Sequence, residues 1–131
     1  MKYLLDTNVL VELLKGNRTV RQNVASAGLD SCNISEITFA EMLYGAYKGG
    51  FERHSHEISF LKDNLTILPI SQALNAFAKL KSDLETAGNR IDNFDLLIAA
   101  TAITSNLVLV SHNVKHFERI QGLKVIDWEL G

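Results

Sequence analysis

From Leu96 to Ile103 the chain reads Leu-Leu-Ile-Ala-Ala-Thr-Ala-Ile, and Thr101 is its only polar residue. A helix that is apolar on nearly every side has to be buried on nearly every side. The run is far shorter than the ~20 residues that span a bilayer, so the burial must be within protein. The rest of the chain therefore has to wrap this segment. Two carboxylates, Asp92 and Asp95, stand at its front edge. Desolvating an unpaired carboxylate costs several kcal/mol in order of magnitude. Either they cap the helix and complement its dipole, or at least one of them holds a metal ion. The segment alone leaves both readings open.

The flanking pattern supplies the wrapping. Tyr3 to Leu5 reads as a short buried strand ending at Asp6-Thr7-Asn8. Val9, Leu10, Leu13 and Leu14 then fall at helical spacing, with Thr7 or Asn8 as N-cap and Gly16 as stop. A second helix follows over residues 18–27, then a strand over 31–35. Thr38-Phe39-Ala40-Glu41 matches a capping box and opens a helix that runs to about Lys48, before Gly49-Gly50. Residues 51–64 form another helix, and 66–68 a strand closed by Pro69. Ser71 caps a long helix whose face carries Leu74, Phe77, Leu80 and Leu84. After the buried helix, residues 107–110 form a continuous apolar run, as in a central parallel strand. Residues 114–119 read as one helical turn and 124–126 as a last strand. Strands alternating with helices imply an α/β fold of three layers, in which a central, mostly parallel sheet of about four or five strands is flanked by helices.

Bulk composition narrows the function classes. With 131 residues, one proline, no repeats and no linker, the chain suits one domain, 1–131. A net charge of −2 excludes a global basic field, so a nucleic-acid partner would be met by a local patch. Lys48, Arg53, Arg90, Lys115 and Arg119 could supply one. The single cysteine, Cys32, excludes an internal disulfide, fits a reducing cytoplasm and reads as a core residue. An early charge at Asp6 breaks any signal-peptide pattern, and no membrane association is expected.

Four polar positions share one description. Asp6 ends the first strand, Glu41 lies near the start of the helix after the second, Asp95 opens the buried helix, and Asn113 follows the 107–110 strand. Carboxyl ends of parallel strands and the N-termini between them converge on one edge of the sheet, where ligands bind. Three carboxylates gathered there could not all stay ionised without a cation. Mg²⁺ or Mn²⁺ would resolve the repulsion, since hard cations take oxygen ligands. Such a site suits phosphodiester hydrolysis. Each residue also has a structural reading: Glu41 in the capping box, Asp6, Asp92 and Asp95 as caps, Asn113 as a turn residue. The histidines offer no zinc pattern. His54 and His56 lie on an amphipathic helix and read as surface residues, whereas His112 abuts the proposed site but reads by default as an exposed turn histidine.

These residues carry a resemblance that runs from end to end. Leu4-Leu5-Asp6-Thr7-Asn8-Val9-Leu10 resembles the opening strand and D-T-N of PIN-domain ribonucleases of the VapC toxin type. Ile34-Ser35-Glu36-Ile37-Thr38-Phe39-Ala40-Glu41 through Gly45 is similar to that family's I-S-x-I-T-x-A-E-L-x-x-G. Asp95 to Ala100 matches its D-x-x-I-A-A, and residues 110–128 its closing V-T-x-N…F-x-x-I-x-G-L…W.

The resemblance implies a single PIN domain and a Mg²⁺-dependent ribonuclease toxin. Water would attack an RNA phosphodiester, leaving 5′-phosphate and 3′-hydroxyl ends, with no histidine nucleophile. It implies that Asp6, Glu41 and Asp95 are the acidic metal-site residues. The family's fourth acid is Asn113 here, and Ser111 replaces a usual threonine. Asn offers one neutral oxygen, which favours a single Mg²⁺ (Mn²⁺ being the alternative) over a tightly held pair. Asp92 matches no family acid and remains a cap. A homodimer, and a VapB-like antitoxin that lays a basic side chain in the acidic groove, are implied as well. A catalytically weak PIN-like module that binds RNA or a partner protein is the alternative. A receiver-like phosphoacceptor lacks its strand-end lysine here.

Overall fold

Strand β1 (Tyr3–Leu5) lies at the centre of one sheet and is paired on both sides. The structure is a computed structural model and describes residues 2–130. The other strands are β2 (Cys32–Ser35), β3 (Thr66–Leu68), β4 (Val108–Val110) and β5 (Val125–Ile126). Their order across the sheet is β3-β2-β1-β4-β5, and every pairing is parallel. The expected four or five mostly parallel strands are thus five, all parallel. Seven helices connect them: α1 (Thr7–Lys15), α2 (Arg18–Ala27), α3 (Glu36–Gly49), α4 (Phe51–Asn64), α5 (Leu74–Thr86), α6 (Asn93–Thr104) and α7 (Val114–Phe117).

Side chains alternate across a strand, so each strand feeds two cores. Leu5 and Val110 pack with Leu10, Val20, Leu61 and Trp128 on the face of α1, α2 and α4. Leu4 and Leu109 pack with Leu84, Ile98, Ala102 and Phe117 on the face of α5, α6 and α7. These two cores and the sheet between them are the three layers. Within α6, Leu96, Ile98, Ala99, Ala100, Thr101 and Ala102 are at most 1% exposed. The Thr101 hydroxyl donates to the Leu97 carbonyl (2.8 Å), so the one polar side chain in the run is satisfied within its own helix. The small faces at Ala99, Ala100 and Ala102 let α6 sit close on the sheet.

Three cap assignments made from sequence are corrected. α3 begins at Glu36, and its cap is Ser35, whose hydroxyl accepts from Ile37 N (3.0 Å). Thr38 and Glu41 therefore lie inside the helix and form no capping box. α1 is capped by Asp6, which accepts from Thr7 N, and by neither Thr7 nor Asn8. Ser71 opens a 3₁₀ turn (Ser71–Ala73) rather than a helix, and α5 starts at Leu74 without a side-chain cap. That late start rotates Leu74 outward; it is 51% exposed.

Deleting the buried side chain in Ile98→Ala should cost about 2–5 kcal/mol in urea unfolding. Leu74→Ala, on the stripe that the sequence marks as apolar, should cost about 1 kcal/mol or less because that side chain faces solvent.

Candidate functional site

The chain runs β1, β2, β3 to one side of the sheet and then returns to build β4 and β5 on the other. That reversal opens a crevice at the carboxyl ends of β1 and β4. Asp6 sits there and is 6% exposed. Its amide donates to Val110 O (2.9 Å), which continues the β1–β4 ladder one residue past the strand and fixes the Asp6 backbone. Its carboxylate accepts from Thr7 N at Oδ1 (2.9 Å) and from the Ser111 hydroxyl at Oδ2 (2.9 Å). The Ser111 oxygen in turn accepts from Asn113 N (3.0 Å), which leaves its own proton directed at Asp6. Burial pushes the Asp6 carboxyl above its ordinary range; these two hydrogen bonds oppose the push, and the charge of Asp95 adds to it.

Glu41 reaches the same edge from α3, half-buried. Its Oε1 accepts from the Thr7 hydroxyl (2.6 Å), and the Thr7 and Thr38 hydroxyl oxygens lie 3.1 Å apart. Thr7 has one hydroxyl proton, and the carboxylate takes it, so the Thr38 hydroxyl donates to Thr7. Glu41 is thus tied to the N-terminus of α1 across 34 residues of sequence. Asp95, in the first turn of α6, is the third acid. Burial raises its carboxyl too, Asp92 and Glu41 push the same way, and a hydrogen bond from His116 opposes them. Asp92 is the cap expected of it, accepting from Phe94 N (3.1 Å).

The charge of Asp95 thus acts on Asp6 and that of Glu41 on Asp95, which places the three acids along one edge. Among the described residues the ion pairs of lysine and arginine are Lys79–Asp83 and Arg90–Glu85, and neither reaches the three acids. A set of oxygen donors, two of them desolvated and none paired with a lysine or arginine among the described residues, fits a hard divalent cation. Asn113 stands beside them, exposed, and its side chain makes no capping bond to α7. Cys32 contributes nothing: it is buried at the start of β2, and burial pushes its thiol up to about 11.

His112 is the exposed turn residue that its default reading expects. His112 turns away to Asp127 (3.2 Å) and Glu129 (2.5 Å) beyond the end of β5. Among the described residues this trio is the group of His, Cys, Asp or Glu whose ligand atoms all lie within 4.8 Å of one another. Asp6, Glu41 and Asp95 are spaced more widely, as the mutual repulsion of three carboxylates favours. The histidine at the site is His116, whose Nε2 lies 3.1 Å from Asp95 Oδ2. Its signal in the sequence is faint: three residues after Asn113, in a single turn of helix, it points back over the same edge. His54 lies at the surface of α4, where its Nδ1 meets Glu57 Oε1 at 2.6 Å. An apolar groove of about 350 Å³ lies between α1, α3 and α4; Val11, Leu14, Met42 and Ile58 line it, and Thr7 and Glu41 join it to the acidic edge.

The PIN domain family model matches residues 3–123. The chain is 36% identical over 132 aligned positions to "Ribonuclease VapC1" of Haemophilus influenzae (strain R2866), covering 98% of each protein. It is 28% identical to "tRNA(fMet)-specific endonuclease VapC" of Shigella flexneri, again over 98% of each. Among solved structures it superposes on a chain of VapBC2 from Rickettsia felis bound to a promoter DNA fragment. The TM-score there is 0.90, with 32% identity and 98% and 99% of the two chains covered.

Because the carboxyls of Asp6 and Asp95 are raised above 3.8, the folded chain keeps protons that the unfolded chain has already released. Their contribution to stability is present at acid pH and is lost as pH rises through the raised values. In EDTA, Asp95→Asn should therefore have a higher urea midpoint than the unsubstituted protein at pH 7, and the gap should close toward pH 4. A gap independent of pH would contradict this.

Proposed function

The chain belongs to the PIN-domain family, among the VapC-type ribonucleases, and we propose that it is a Mg²⁺-dependent endoribonuclease toxin restrained by a VapB-like antitoxin. The observation that carries the reading is the cluster of Asp6, Glu41 and Asp95 at the sheet's carboxyl edge, two of them held above their ordinary range with no lysine or arginine paired to them among the described residues. Asp6, Glu41 and Asp95 would hold the ion, with the neutral oxygen of Asn113 beside them; Mn²⁺ fits the same donors. When bound, the ion supplies a Lewis acid that activates water and offsets the charge gathering on an RNA phosphate. The protein's own part is to hold the donors still. The Thr7 and Ser111 hydroxyls aim two of the carboxylates, and the buried body of α6 fixes the third. No side chain serves as nucleophile: water attacks phosphorus and the 3′-oxygen leaves, so strand scission gives a 5′-phosphate and a 3′-hydroxyl.

The groove between α1, α3 and α4 supports the antitoxin part of the reading. It is apolar along its length and acidic where Glu41 meets it, which suits an amphipathic segment carrying one basic side chain. A homodimer acting in the cytoplasm on RNA completes the proposal. Among the described residues no helix is long and apolar enough to cross a membrane.

The test is cleavage of structured RNA with and without EDTA. Asp95→Asn should reduce the rate on the order of 10²-fold or more while the far-UV spectrum is unchanged. Asp92→Asn keeps a good cap and should change little. Cleavage that survives both EDTA and Asp95→Asn would sink the metal mechanism. An inert protein that binds RNA tightly would favour the alternative of a non-cutting PIN-like module.

A further inference from the structure

His116 is half-buried at the end of α7, and both of its ring nitrogens are engaged. Nε2 lies 3.1 Å from Asp95 Oδ2, and Nδ1 lies 3.1 Å from an Nη of Arg119. Arg119 is itself anchored: its Nε donates to the His116 carbonyl (3.2 Å), and the same Nη lies 3.5 Å from the Arg90 carbonyl. A guanidinium only donates, so Nδ1 must accept. A neutral imidazole has one donor and one acceptor, so the proton resides on Nε2 and is donated to Asp95. The direction of every hydrogen bond in the series Arg119, His116, Asp95 follows from the one group that cannot reverse.

We propose that His116 is a positioning residue for the metal site: Arg119 fixes its tautomer, and its Nε2–H holds Asp95 Oδ2 so that Oδ1 is presented to the cation. This rests on the metal-nuclease reading of the site. Among the described residues Oδ1 of Asp95 accepts no hydrogen bond. The ring is steadied further by the edge of Phe117, 5.2 Å away between centroids, and Phe117 belongs to the core beneath α6. Since both nitrogens are occupied, neither is free to take a proton from water, which is why the role is positioning and not acid–base catalysis. A hydrogen-bond donor behind a ligating carboxylate sets its orientation, and losing such a partner typically weakens a metal site 10- to 100-fold.

The experiment measures Mn²⁺ binding to the full chain without RNA, by electron paramagnetic resonance, alongside ¹⁵N spectra of the histidine rings. Wild type should show His116 as the Nε2–H tautomer. His116→Ala should weaken Mn²⁺ binding 10- to 100-fold. His116→Gln, which can return an N–H to Asp95, should recover most of the loss. Unfolding midpoints of the variants separate a binding defect from a folding defect. Unchanged Mn²⁺ affinity in folded His116→Ala, or a ring protonated at Nδ1, would overturn the positioning role. If Asp95→Asn still loses Mn²⁺ and wild type still cuts RNA, the proposed function stands without it. If wild type binds no Mn²⁺ and its RNA cleavage ignores EDTA, both readings fall.

Discussion

Strand β1 has hydrogen-bonded neighbours on both sides, and the functional edge depends on that. A central strand cannot shift register without breaking two ladders, so the residue that follows it is fixed in space. Asp6 is that residue, and its own amide extends the ladder to β4. From this point short hydroxyl links orient two of the acids: Ser111, just after β4, reaches Asp6, and Thr7 reaches Glu41 on α3. These are short polar links laid over two apolar cores. They impose direction where burial alone would only impose proximity.

The same arrangement sets a conflict. The cores on both faces draw Asp6 and the start of α6 out of water, while three carboxylates at close quarters resist losing their solvation. Proteins usually settle such a conflict with a lysine or arginine. Here no lysine or arginine ion pair reaches the three acids among the described residues, and Arg119 is engaged with His116 and carbonyl groups. The stored repulsion is a cost to the isolated chain and a source of affinity for any cation that relieves it. An antitoxin side chain and a divalent ion would then compete for the same negative field.

Much of this was legible in the sequence because it rests on local patterns. The apolar run of residues 96–103 announces a buried helix, and the continuous apolar stretch at 107–110 announces a central strand. Asp6, Glu41 and Asp95 could be placed on one edge because a parallel sheet sends all its strand ends one way. The helix starts were less legible. Ser35 and Thr38 are both good caps three residues apart, and the choice fell to Ser35 because the β2 backbone stays extended through it. Either cap would have left Glu41 on the same helix, so the error did not move the site. The histidine that reaches the site was missed for a different reason. His112 is next to the site along the chain, yet the backbone after β4 turns it toward Asp127. His116 meets Asp95 across 21 residues, through a four-residue helix with too little periodicity to reveal its facing side.

The pairing of β1 with β4 also dictates when the site can exist. Asp6 and the serine that completes its hydrogen bonds are 105 residues apart. On the ribosome Asp6 is made 105 residues before the hydroxyl that completes its hydrogen bonds. Domains fold as units during translation, and this one cannot close its central ladder before β4 has emerged. A chain interrupted before that point therefore carries the acids without their geometry. The assembled edge is withheld until β4 is made, which is a timing safeguard written into the strand order alone.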